Sequence, residues 1–149
     1  MSDNNSITDW IHIRPFEDSD EDAVIALWDR CGLLRPWNDP HKDIPRKKKF
    51  QRELFLVGVA GTEIVAATMA GYDGHRGWVY YFGVDPAYQR HGYGRALMTE
   101  VERCLRDLGC PKLNLQVRRG NDGAAAFYES VGFGEQDLLH FGKRLEEDG

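Results

Sequence analysis

The chain has 149 residues, of which 42% are hydrophobic and 29% charged, and its net charge is −5. A chain of that length fits one domain and buries roughly 70% of its unfolded surface, enough for a core without staples. The acidic balance argues against nucleic acid as a partner, and no apolar run approaches the ~20 residues that span a bilayer, so no membrane is expected either. Three cysteines, Cys31, Cys104 and Cys110, form no CxxC pair. That usage, with a polar N-terminus lacking a basic-then-apolar leader, points to a reducing, cytoplasmic setting and to no bound metal.

In chain order, residues 1–9 read as a flexible tail and 10–149 as a single domain. The alternating "WIHIRP" predicts a first strand ending at Pro15. "DSDEDAVIALWDRCG" predicts a helix with Ser19 and Asp22 in capping-box spacing, Val24, Leu27, Trp28 and Cys31 on one face, and Gly32 as its stop. "LLRPWNDPHKDIPRKKKFQRE" is broken by three prolines, so a short helix is expected only after Pro45. Its basic run "RKKKFQR" reads as a solvated face.

The runs "LFLVGVA", "EIVAATMAGY" and "WVYYFGV" are rich in β-formers. They are separated by the turn signals Gly61-Thr62 and "DGHRG", which predicts an antiparallel meander. Leu97, Val101, Cys104, Leu105 and Leu108 mark an amphipathic helix ended by Gly109 and Pro111, with Cys104 in its apolar stripe. "KLNLQV" predicts a strand, "NDGAAAFYESVG" a second short helix capped by Asn121 or Asp122, and "LLHFGKRL" a final strand.

Between the meander and the long helix lies "VDPAYQRHGYGRAL". The first N–H groups of a helix lack partners and carry partial positive charge, so an anion can collect several of them. Gly92 and Gly94 leave that backbone bare, and Gln89, Arg90 and Arg95 add donors and charge. The third glycine of a dinucleotide fingerprint is missing, and the preceding strand belongs to a meander rather than an opening βαβ unit. A phosphate of another kind is expected.

"QRHGYG" after "VDP" resembles the Q/R-x-x-G-x-G/A signature of the GNAT (GCN5-related) N-acetyltransferases. "NDGAAAFYESVGF" is similar to that family's N-x-x-A-x-x-F-Y-x-x-x-G-F motif. The stretches "GYDGHRG", "GCPK" and "GKRL" resemble the YpeA-type bacterial subgroup. The resemblance spans Trp10 to Leu145. It implies an α/β GNAT fold: a mixed central sheet whose antiparallel β2-β3-β4 meander is splayed at the acetyl-CoA site, flanked by about four helices.

The resemblance implies a role for each of several residues. Acetyl-CoA would be the co-substrate. Phe82, Gly83 and Val84 would pair with its pantetheine arm, the Val84 N–H reaching the thioester carbonyl. Gln89, Arg90, His91, Gly92, Tyr93, Gly94 and Arg95 would hold the pyrophosphate, and Asn121 would contact the CoA arm. Tyr128 would be the catalytic acid that protonates the departing thiolate. Glutamates that serve as base elsewhere in the family fall at Tyr80 or Gln116, so the base is expected to be a water relayed to Asp73, His75 or Glu53, or else the amine arrives deprotonated.

The acceptor side would be lined by Trp37, Asp39, Asp73, His75 and Arg76, with Asp43 a further carboxylate for an ammonium group. The acceptor is expected to be a primary amine, on a small metabolite or a protein N-terminus, acetylated directly in a ternary complex. Exposed strand edges near the C-terminus allow a homodimer. The absent glutamates also leave a rival, a non-catalytic module that binds acyl-CoA as a sensor.

Overall fold

The computed structural model describes residues 11–147, so the tail at 1–9 and Trp10 lie outside the described residues. The alternation read from the first strand is present as β1 (Ile11–Pro15), followed by α1 (Glu21–Arg30) and α2 (Pro40–Lys47). The meander forms β2 (Phe55–Ala60), β3 (Glu63–Tyr72) and β4 (Gly77–Val84). After the glycine loop come α3 (Tyr93–Asp107), β5 (Leu113–Asn114) and α4 (Asp122–Ser130). The strands make one five-stranded sheet in the order β1-β2-β3-β4-β5, antiparallel up to β4 and parallel between β4 and β5.

Period-two alternation divides the core between the two faces of this sheet. Phe55, Val57, Ala67 and Met69 face α1 and α2, where they bury Val24, Leu27, Trp28 and Ile44. Phe16, Phe55 and Trp28 stack there, with centroids 4.2 and 5.9 Å apart. Leu56, Ala66, Ala70 and Val79 face α3, which buries Leu97, Met98, Val101 and Leu105 against them. Cys104 packs at the edge of that cluster, as its place in the stripe predicted.

Four local expectations are corrected. A 3₁₀ turn at Asp18–Asp20 precedes α1, and Asp20 rather than Ser19 stands at its N-cap. Asp20 instead accepts two hydrogen bonds from Arg14, at 2.7 and 3.0 Å, and one from the Glu17 N–H at 2.8 Å. Helix α2 begins before Pro45, because Asp39 caps it through the His41 N–H and Pro40 occupies the first helical turn, where a missing N–H costs nothing. The basic run after it is not simply solvated. Lys47 donates to the Ala70 carbonyl, Lys48 pairs with Asp18 at 3.0 Å, and Arg46 pairs with Asp43 at 2.9 Å.

The fourth correction concerns the C-terminal third. Pairing between β4 and β5 covers only Gly77↔Leu113 and Trp78↔Asn114, so the alternation of "KLNLQV" becomes a strand for two residues only. "LLHFGKRL" forms no strand. Its segment is tied by side chains instead of a ladder: His140 to Gln116, Arg144 to the Trp37 carbonyl, and Glu146 to Arg46.

Candidate active site

The early end of the β4–β5 pairing is what opens the sheet. From Val79 to Val84, the β4 edge facing away from β3 has no strand partner among the described residues. On the other edge, the Asp85 N–H donates to the Val65 carbonyl at 2.8 Å. Antiparallel hydrogen bonding alternates along a strand, so the Val84 N–H points to the open edge. The Val84 carbonyl accepts from Gln89 Nε2 at 3.1 Å and from the Cys31 thiol at 3.3 Å.

The chain leaves β4 through a 3₁₀ turn at Pro86–Tyr88, fixed by Asp85, which accepts from the Ala87 N–H and pairs with Arg30 at 2.8 Å. It enters α3 through Arg90 and Gly92, both at positive φ (+68° and +83°). The first helical bond runs from Ala96 N–H to the Gly92 carbonyl, so the N–H groups of Tyr93, Gly94 and Arg95 have no helical acceptor. A Cβ on Gly92 would meet nothing within 4 Å, which makes the helix mouth an open cradle. Gln89, Arg90, His91 and Arg95 are exposed around it, and Arg95 also donates to the Ser130 carbonyl at 3.1 Å. The Tyr93 side chain is buried beside Tyr88 and His91, so Tyr93 offers its backbone rather than its phenol.

Helix α4 closes the opening from the α3 side. Asn121 caps it by accepting from the Ala124 N–H at 3.1 Å. Tyr128 packs edge-on against Phe82 and Phe133, both at 5.9 Å. Burial pushes its phenol up to about 12, so it carries its proton throughout the neutral range.

The residues expected on the acceptor side divide into two places. Trp37 is half-exposed, with the Arg118 guanidinium 4.7 Å over its ring. Asp39 is engaged as the α2 cap. Asp73, His75 and Arg76 form the β3–β4 turn. There the Arg76 and His75 N–H groups, each at 2.8 Å, hold the Asp73 carboxyl below the usual carboxylate range. Gly77 and Gly83 stand six positions apart on β4, roughly 20 Å at the rise of a β-strand, so this turn lies far from the Val84 end of the strand. Tyr80 is half-exposed and stacks with Trp78, and the Gln116 amide lies 2.9 Å from His140 Nδ1.

A splayed β4 running into a bare helix mouth, with a tyrosine of α4 beside the opening, is the arrangement the sequence motifs imply. Residues 13–133 match the model of the acetyltransferase (GNAT) family. The chain belongs to that family. The acetyltransferase is 48% identical over 138 residues to a protein named acetyltransferase from Yersinia enterocolitica, covering 93% of this chain and 98% of that one. It also resembles the solved ribosomal-protein-S18-alanine N-acetyltransferase from Escherichia coli, with a TM-score of 0.71 and 27% identity over 85% of this chain and 79% of that chain. AAC(6')-Iy in complex with a CoA bisubstrate analogue shares the fold, with a TM-score of 0.73 at 15% identity, covering 90% of this chain and 98% of that chain. The protein is thus an N-acetyltransferase, and the non-catalytic rival gives way to an enzyme. Among the described residues, no helix is long and apolar enough to cross a membrane.

Sequence reasoning missed three groups around β4. Tyr81 has a positive φ and bonds to Asp43, Thr68 Oγ1 donates to the Tyr80 carbonyl at 3.0 Å, and Cys31 sits under Gly83. A conformation of that kind leaves no mark in a run as β-rich as "WVYYFGV".

Proposed function

We propose that this acetyltransferase moves the acetyl group of acetyl-CoA to a primary amine, on a small metabolite or a protein N-terminus, by direct transfer in a ternary complex. The observation that carries the reading is that the unpartnered β4 edge leads straight to the open amides of Tyr93, Gly94 and Arg95. Those amides, with Gln89, Arg90, His91 and Arg95 around Gly92, suit a pyrophosphate. The edge of Phe82, Gly83 and Val84 suits the amide-bearing pantetheine arm, which would add to it as a strand does.

The amine nitrogen attacks the carbonyl carbon, the carbon–sulfur bond breaks, and the sulfur leaves with the electron pair. The Val84 N–H stabilises the oxygen on which charge develops. Tyr128 gives the sulfur its proton, the attacking nitrogen loses one to solvent as the amide forms, and solvent returns a proton to the phenolate. The raised pKa of Tyr128 does not forbid this, because the burial that lifts the phenol also lifts a thiolate brought beside it. With tyrosine and glutamine at the usual glutamate positions, the acceptor enters as the free base. That favours an α-amine, with a pKa near 8, over a lysine side chain near 10.4. Trp37 with Arg118 forms the acceptor wall, and the β3–β4 turn contacts only extended acceptors.

The test is thiol release from acetyl-CoA across a panel of amino acids, polyamines, aminoglycosides and short peptides. Acceptor-dependent release with a primary amine is expected. Tight CoA binding with no release across the panel would refute the transferase reading.

A further inference from the structure

We propose that Asp43 and Tyr81 form a latch through which α2, on the acceptor side, sets the bulge in β4. Both are then positioning residues for acyl transfer, an inference that rests on the reading of β4 as the thioester strand. In the β3–β4 ladder Ala67 stands opposite Gly83 and Met69 opposite Tyr80, so Thr68 alone faces both Tyr81 and Phe82. The extra residue is Tyr81, whose φ is +56°. A tyrosine is held in that region only when its surroundings impose it, and such outliers gather where geometry serves function.

Contacts from the α1–α2 layer impose it, beside the Thr68 hydroxyl of β3, which donates to the Tyr80 carbonyl at 3.0 Å. The Tyr81 hydroxyl donates to Asp43 Oδ2 at 2.7 Å, and its ring stacks on Trp28 at 4.3 Å. The Trp28 indole N–H is buried without a hydrogen-bond partner, so a second local cost falls at the same point. The other Asp43 oxygen accepts from Arg46 at 2.9 Å, which fixes the carboxylate along α2.

The bulge decides which way the reacting stretch faces. It leaves Tyr81 among the side chains under α1 and turns Phe82 to the opposite face, against Phe127 and Tyr128. A strand without the extra residue would shift by one, and every side chain and amide beyond it would reverse. Phe82 would leave Tyr128, and the Val84 N–H would turn into the sheet. Because Asp43 lies on the helix that follows the acceptor-side loop, seating an acceptor against α2 bears directly on the donors offered to the thioester.

The test uses the full chain with CoA, acetyl-CoA and an amine found in the panel above. Tyr81→Phe keeps the ring on Trp28 and removes the hydroxyl, Asp43→Ala removes the acceptor, and Asp43→Asn keeps an oxygen that can accept. We expect kcat to fall ~10-fold or more in Tyr81→Phe and Asp43→Ala, short of the ~10²–10³-fold that outright loss of an oxyanion donor costs, while the Kd for CoA stays within about twofold. The double variant should be no slower than either single one, and Asp43→Asn should lie between them and the wild type. An unchanged kcat in Tyr81→Phe overturns the latch. So does a loss of CoA affinity in step with kcat and a lowered Tm, which marks general loosening. A wild-type chain that binds no CoA would instead refute the reading of β4 itself, an outcome distinct from failure of the latch.

Discussion

A Cβ placed on Gly94 would lie 2.9 Å from Cζ of Phe127. The first turn of α3 therefore rests directly on the α4 ring that neighbours Phe82 and Tyr128, at 5.9 and 5.3 Å. Alanine is normally worth up to about 1 kcal/mol over glycine inside a helix. Here overpacking should cost about 1–3 kcal/mol and outweigh that gain. Gly94→Ala is expected to lower the denaturation midpoint and to weaken CoA binding, both measured on the same preparation.

Gly92 is the opposite case, with open space around it but a φ of +83°. Gly92→Ala should cost about 1–2 kcal/mol through the left-handed backbone alone. Gly92→Glu adds a carboxylate where the pyrophosphate would sit. It should abolish the thermal shift that acetyl-CoA gives the wild type, with the unliganded Tm close to that of Gly92→Ala.

Tyr128→Phe removes one hydroxyl from an apolar setting and should leave stability nearly unchanged. Turnover is expected to fall ~10²-fold, the typical worth of a positioned acid, with the Kd for acetyl-CoA unaltered. Equal losses in turnover and affinity would make the phenol a binding group. Because burial pushes Tyr128 up to about 12, the proton is retained well above neutrality. The kcat/KM profile should climb through the acceptor amine's own pKa and show no descending limb up to about pH 10.

Arg14, then the Glu17 N–H, holds the buried Asp20 carboxyl below its usual range, against the opposing effect of burial. A depressed folded pKa gives stability that is complete above the unfolded value near 3.9 and is lost as pH falls through the folded value. Asp20→Asn should therefore cost about 1–3 kcal/mol at pH 7, and the difference from wild type should shrink below about pH 4. Urea denaturation at several pH values measures both.

The meander, α3, α4 and the glycine loop were legible because each carries a local signal: β-branched runs between tight turns, a helical stripe, glycines at a helix mouth. The ends of elements were not. "KLNLQV" and "LLHFGKRL" alternate like strands, yet the splay of β4 from β5 stops the ladder at Asn114. The acceptor side shows the same limit more sharply. Asp39, Asp43 and Asp73 are equivalent as letters in a polar loop, but one caps α2, one holds Tyr81 and one closes a turn. Which task falls to which carboxylate depends on partners distant in sequence, such as Tyr81, which lies 38 positions beyond Asp43.

The central claim is that the amides following Gly92 seat the diphosphate of coenzyme A while β4 carries the arm toward Val84. A crystal structure of the chain with CoA tests it most directly. The account predicts diphosphate oxygens within hydrogen-bonding distance of the Tyr93, Gly94 and Arg95 amides and the arm laid along the open edge of β4. A nucleotide bound elsewhere, with that helix mouth occupied only by solvent, would contradict it.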